Sequence, residues 1–402
     1  MVLPAGLGGD FARVSPANQF RAVCYSIEGI NSFATVVYCN YLYFFFRDRF
    51  GFSDRQNLLL AALAGFVYMI ASWQAGRFAQ RRGCFTAMKL GFGIMAAGLA
   101  AGLACRSAAA EIVVACSVFG GTCFVWPSVE ALISEGDTAE HVPHAIGIYN
   151  ITWALSNAVA FFIGGSLIKK FGYGGMFSLP LALMVLQFLM TLWLEKIHAG
   201  LGSSAVKNVP TAKPAADVSA RAKNFQRMAW VANPCAYIAI NTLVAVLPGV
   251  AAKFHLSTML AGFALSVWCF ARFATFILLW RWTGWHYRFR WLLTSFGLLI
   301  ISFAAILVAS GLWAVVLAQL VFGVAIGLIY YSSLFYAMDA SETKGEQGGI
   351  HEAAIGAGNC LGPVIGASAL WLAPANAGMG AWAVSGLLLL GLGGMVLMRK
   401  PR

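Results

Sequence analysis

Five ionisable side chains stand inside long apolar runs of this chain: Glu28, Glu130, Arg272, His351 and Glu352. A charge at the centre of a lipid-facing helix costs roughly 2.5 kcal/mol or more on insertion scales, so each should turn toward a cavity or a partner. A carboxyl group in such a place can exchange a proton when its surroundings change. Arg272 is the deepest of the five, about eight residues from the basic segment that closes its run. It needs a counter-ion, for which Glu352, Glu28 and the anionic group of a bound molecule are the alternatives. Trp268, one turn earlier on the same face, can lay its ring against the guanidinium.

Other chemistry is poorly provided for. His351-Glu352-Ala353-Ala354-Ile355 opens like the zinc-protease pattern HExxH, but Ile355 stands where the second ligand belongs. No phosphate-binding GxxxxGK[ST] sequence occurs, and the nine cysteines form no CxxC pair. The expectation is therefore no catalytic centre, no metal, no cofactor and no disulfide framework.

The ionisable groups lie on polar stripes. Glu28, Asn31, Thr35 and Tyr38 recur at i, i+3, i+7 and i+10, a helical face that lipid would not accept. Glu352, Gly356, Asn359 and Pro363 share a second face, and Asn150, Trp153 and Asn157 a third. Tyr149, Trp153, Trp268, Tyr330 and Tyr331 add aromatic surface suited to amphipathic organic molecules or sugars. For Glu130, near a helix end, a structural role is the alternative. For Glu352 it is a carboxylate that complements the start of a helix dipole.

The elements that carry these stripes follow from composition. Of 402 residues 60% are hydrophobic and 10% charged, against roughly a quarter charged in a water-soluble domain. Apolar runs near 23–46, 57–75, 87–105, 112–133, 145–168 and 174–194, then 229–250, 259–280, 291–310, 313–337, 350–373 and 379–398, are each long enough to cross a bilayer. The fold class expected is an all-α polytopic membrane protein with about twelve transmembrane helices in two parallel six-helix bundles. The organisation expected is a tail over 1–22, halves over 23–195 and 228–398, a polar, Pro-containing linker over 196–227, and a tail over 399–402. The first twenty residues lack the apolar core of a secretory signal, so the first span should serve for insertion.

The net charge of +12 does not point to nucleic acid, because Lys and Arg cluster in short loops between apolar runs and not on a basic, aromatic-bearing helix. Outer loops hold Arg47, Arg49, Arg55, Arg106, Lys169, Lys170 and Lys253, and the remaining loop and tail cations fall on the other side. By the positive-inside rule both termini are expected in the cytoplasm, in a bacterial-type inner membrane. Lys89, near an inner helix end, is expected to snorkel.

An internal repeat at an offset near 203 organises the whole chain. Phe119-Gly120 matches Phe322-Gly323, each followed by an acidic loop, and IYNITWALSNAVAFFIGG lies over IHEAAIGAGNCLGPVIGA. Helix number, linker position and parallel repeat together resemble the major facilitator superfamily. Gly76-Arg77-Phe78-Ala79-Gln80-Arg81-Arg82-Gly83 is similar to that family's Gly-x-x-x-Asp-Arg-x-Gly loop, with Gln80 in place of the acid that helps to hold the halves together. Gly358-x-x-x-Gly362-Pro363-x-x-Gly366 resembles the Gly-Pro motif of family antiporters, but sits in the eleventh span instead of the fifth.

The resemblance implies a monomeric secondary transporter whose halves rock about a site near the bilayer midplane. The expected partners are lipid and a small organic solute, with proton coupling through a carboxylate. A facilitative uniporter and a non-transporting sensor or scaffold of the same fold are the alternatives.

Overall fold

The structure, a computed structural model, describes residues 16–134, 142–200, 216–339 and 344–399. Within them the chain is helical throughout, with no strand. The first half comprises α1 (Pro16–Phe50), α2 (Asp54–Arg82), α3 (Cys84–Ala104), α4 (Ala108–Ile133), α5 (Val142–Phe171) and α6 (Gly175–Gly200). The second comprises α7 (Ala216–Lys253), α8 (Thr258–Leu265), α9 (Val267–Arg281), α10 (Phe289–Val308), α11 (Leu312–Asp339), α12 (Lys344–Leu372) and α13 (Met379–Met398). Eleven spans are long and apolar enough to cross a membrane, α8 and α9 counting as one of them. The 35-residue α1 is long enough but carries too many polar residues to join them by composition.

Helices are what a hydrocarbon surrounding permits, since each satisfies its own backbone groups. Counting α1 as a twelfth pass through the bundle, the start of α1 and the end of α13 lie at one end of it, here called the terminal end; the opposite end is distal. Distal turns are short and chemically defined. Ser53 accepts from the backbone N–H of Gln56, while the Gln56 side chain accepts from the Ser53 N–H at 2.8 Å, a reciprocal cap at the start of α2. Ser257 caps α8 in the same way as an acceptor, and it stands at the repeat-related position.

Two sequence expectations are corrected and one gains detail. The eighth span lies where expected, over Thr258–Arg281, with an interruption at Ser266. No Pro or Gly causes the break. The Gln319 side chain on α11 donates at 2.9 Å to the Ala264 carbonyl, an insertion into the helical ladder from a neighbouring helix. Helices also run past their apolar cores, because α1 starts at Pro16 inside the expected tail, while α6 reaches Gly200 and α7 begins at Ala216 inside the expected linker. The rest of that linker, 201–215, lies outside the described residues. Finally, Lys89 does not simply snorkel; its ammonium pairs with Glu195 on α6 at 2.9 Å.

The halves meet chiefly along α2 with α12 and along α5 with α8 and α9, the two crossings being repeat-related. Glycine sets their closeness. A Cβ on Gly65 would collide with the Asn359–Cys360 backbone, and one on Gly356 with the Met69 backbone. At the other crossing Gly165 faces the Thr258 backbone and Gly262 faces the Phe161 and Phe162 carbonyls. The Gly358 and Gly362 positions of the Gly-Pro motif seat α12 on the Pro234 and Ile238 carbonyls of α7 within the second half, while Gly366 turns toward Leu58 of α2 in the first.

Gly65→Val should lower thermal stability by about 1–3 kcal/mol or abolish folding, as overpacking of a close contact does. Gly93→Ala, where an added Cβ meets nothing within 4 Å, should be neutral or slightly stabilising. Melting followed by size-exclusion in detergent checks both, and equal melting of the two variants would contradict the close approach.

Candidate functional site

A cavity of about 180 Å³ lies between the halves. Of the residues singled out by sequence, Glu28, Thr35, Tyr149, Trp153, Asn157, Trp268, Arg272, Tyr330, Glu352 and Asn359 line it. The break at Ser266 precedes Trp268 and Arg272 by less than two turns. Gly323 on α11 lies against the Trp268 carbonyl and the Arg272 N–H, where no side chain would fit. That close approach gives the Phe322-Gly323 pair a local purpose. Its repeat partner Gly120 has only ordinary contact, with Val67 at 3.7 Å.

Arg272 is 5% exposed. Its guanidinium carbon lies 4.4 Å from the ring centre of Trp153 and 4.9 Å from that of Trp268, one indole from each half. Among the described residues no carboxylate forms an ion pair with it. The counter-ion alternatives Glu352 and Glu28 are therefore not realised, and two π-faces take their place. Trp153 is held by its own half, since its indole N–H donates to Asn150 Oδ1 at 2.9 Å. Its ring also meets Tyr330 edge-on at 5.1 Å.

Acidic groups occupy another part of the same space. Glu352 accepts a hydrogen bond from the Tyr68 hydroxyl, a contact between the halves. With eight residues of α12 preceding it, Glu352 lies deeper than a helix-start position. Glu28 accepts from the Ser32 hydroxyl at 2.9 Å and leaves Oε2 without a partner. Glu130 is half-buried and stands outside the lining. Arg272 Nε, Trp268 Nε1, Asn157 Oδ1 and Glu28 Oε2 are all buried without a protein partner, although buried polar groups are normally hydrogen-bonded. The cavity thus offers a cation, two carboxyls and unspent hydrogen-bonding groups between aromatic walls.

Six expected residues lie elsewhere. Asn31 and Tyr38 are fully buried within the first half, Tyr38 with its ring edge-on to Phe177 at 5.6 Å. At about 100° per residue they fall about 60–80° around the helix from Glu28, away from the cavity-lining Ser32, Cys39 and Tyr43. Asn150 supports Trp153 from behind, and Glu130 stands off as described. His351 is buried with its ring 6.2 Å from that of Tyr330 and does not line the space. Tyr331 faces a separate pocket of about 240 Å³ with His144, Trp280 and His286.

Sequence reasoning missed Tyr68, Trp126, Tyr237 and Asn241, all of which line the cavity. The last two were legible: Tyr237, Ile240, Asn241 and Val244 repeat at i, i+3, i+4 and i+7 in the seventh span. Asn241 donates to Asn359 Oδ1 on α12. Tyr68 carried no signal, because its importance comes from a helix nearly three hundred residues away.

The sequence profile described as Major Facilitator Superfamily matches residues 23–363. No curated protein matches the chain. Among solved structures, the human organic anion transporter MFSD10 (TETRAN) superposes with a TM-score of 0.68 at 16% identity, covering 94% of this chain and 99% of its own. A point mutant of the nucleoside transporter NupG gives 0.71 at 12% identity, covering 95% and 100%. A structure described in terms of substrate recognition in proton dependent oligopeptide transporters gives 0.69 at 14%, covering 95% and 97%. At such identities these likenesses speak for the fold.

An unpaired buried charge is costly to a resting structure, whereas removing one partner of a true buried ion pair costs about 3–5 kcal/mol. Arg272→Met should therefore leave thermal stability unchanged or raised in the absence of solute. A fall of several kcal/mol in a melting experiment would show that a carboxylate partners Arg272 after all.

Proposed function

Because the chain belongs to the major facilitator superfamily, we propose that it is a secondary active transporter that moves a small organic solute bearing an anionic group, by alternating access and with proton uptake at a cavity carboxyl. The observation that carries this reading is the Arg272 guanidinium, buried between one tryptophan of each half with no carboxylate bound to it among the described residues. A solute carboxylate or similar anion completes the missing ion pair. Its apolar body would lie against Trp153, Trp268 and Tyr330. The likeness to an organic anion transporter and to proton dependent oligopeptide transporters agrees with such a cargo.

Coupling follows from placing Glu28 and Glu352 in the same cavity. An ionised carboxylate repels the solute's negative charge, and a protonated one does not. Proton binding and solute binding therefore favour each other, and by linkage each strengthens the other equally. Tyr68 on Glu352 bridges α2 and α12, so a change in the state of Glu352 bears directly on the contact that must open when the halves rock. With the terminal end facing the cytoplasm, as the distribution of basic residues indicates, inward proton flow would drive uptake by symport.

Purified protein in liposomes, given an imposed pH gradient and a panel of small organic anions, tests the reading. Arg272→Gln should lower solute affinity by at least about tenfold, as loss of a charge-assisted hydrogen bond of about 1.5–3 kcal/mol implies. Glu352→Gln should retain binding and counterflow but lose accumulation driven by the gradient. Accumulation equal in wild type and Glu352→Gln would remove Glu352 from coupling, and uptake insensitive to any gradient would identify a facilitative uniporter.

A further inference from the structure

The outer face of α2 carries a feature that the central site does not use. Leu59, Leu63, Phe66, Ile70 and Trp73 recur every three or four residues, and each is 40–51% exposed. This apolar track runs toward the terminal end and enters a groove of about 500 Å³ between α2, α3 and α4. The groove lies apart from α12, which packs on another face of α2 through Gly65. Trp73, Phe78, Leu90 and Phe124 form its apolar walls, and Arg77 and Arg81 its charged rim, with Arg82 beside them. The Arg77 guanidinium lies 4.0 Å over the Trp73 ring. No acidic residue occurs anywhere from 71 to 90, and among the described residues none of the three arginines forms an ion pair.

The geometry matches one leaflet of a bilayer. Half of a hydrocarbon core of about 30 Å corresponds to about ten helical residues. With Arg77 at the polar boundary, Phe66 falls near the midplane and Trp73 at the interface, where tryptophan is favoured. Arginine presents a planar fork that fits a phosphate oxygen pair, and its stacking on Trp73 holds that fork ready.

We propose that this groove binds an anionic phospholipid, with its phosphate on Arg77 and Arg81 and one acyl chain along the Phe66–Ile70–Trp73 track. The rim selects the headgroup by charge, and the continuous apolar track selects a lipid over a soluble anion. The site is independent of the central cavity and of whatever solute that cavity takes.

The test uses the full chain in phosphatidylcholine vesicles containing equal small fractions of brominated phosphatidylglycerol or brominated phosphatidylcholine. The Trp73 signal is the difference between wild type and Trp73→Phe. Brominated phosphatidylglycerol should quench it about threefold more strongly, given the attraction of each basic side chain to an anionic leaflet. That preference should fall toward one in Arg77→Gln/Arg81→Gln. In the wild type itself it should weaken as salt is raised, so the result does not depend on the variant's folding. Equal quenching by the two lipids in the wild type, or an undiminished preference in the double variant, would overturn the proposal. Displacement of the brominated lipid by millimolar glycerol phosphate would instead identify a soluble-anion site. Trp73 shielded from both lipids in a protein that sediments as a dimer would identify a contact between two copies.

Discussion

A charge inside hydrocarbon must be answered by something, and in this protein the placing of the charges follows from how each is answered. The interior carries few ionisable groups, and most of those meet in one inter-half cavity or pair near a helix end, as Lys89 does with Glu195. Arg272 is answered incompletely, by two aromatic faces and, among the described residues, no anion. The surrounding structure is arranged to hold that incomplete state: Gln319 interrupts the helix just before it, Gly323 lets α11 close over its backbone, and Asn150 fixes the tryptophan that covers it.

The architecture was largely legible because hydrocarbon imposes length and apolarity on every span, and because a duplicated half repeats its motifs at a fixed offset. Repeated helix caps such as Ser53 and Ser257 mark the same duplication in three dimensions. What escaped was anything decided by a partner helix. The break at Ser266 comes from a side chain on α11, and no local residue announces it. Helix ends were misjudged for a related reason, since polar ends such as the start of α7 continue the helix beyond the apolar core.

The candidate site was legible in its chemistry and only partly in its geometry. Isolated charges in apolar runs are conspicuous, and Glu28, Arg272 and Glu352 do converge on one cavity. Residues chosen by stripe were more fragile, because steps of three and ten residues drift around a helix. Asn31 and Tyr38 drifted into the interior of the first half, while Ser32 and Cys39 took the cavity side. The neighbour that matters most to Arg272, Trp153, comes from the opposite half, and no one-dimensional rule pairs them.

The glycines between α2 and α12, and between α5 and α8, bring backbone against backbone where most helix pairs interlock side chains. Interlocked side chains resist displacement in every direction, because each must be lifted from its socket. Two smooth ribs in contact resist separation but slide and roll at little cost. Their contact area changes gradually as they turn, so such crossings tolerate a relative roll better than interlocked ones do. The friction that remains is then concentrated in the few side-chain links across the gap, among them Tyr68 on Glu352 and Trp153 on Arg272.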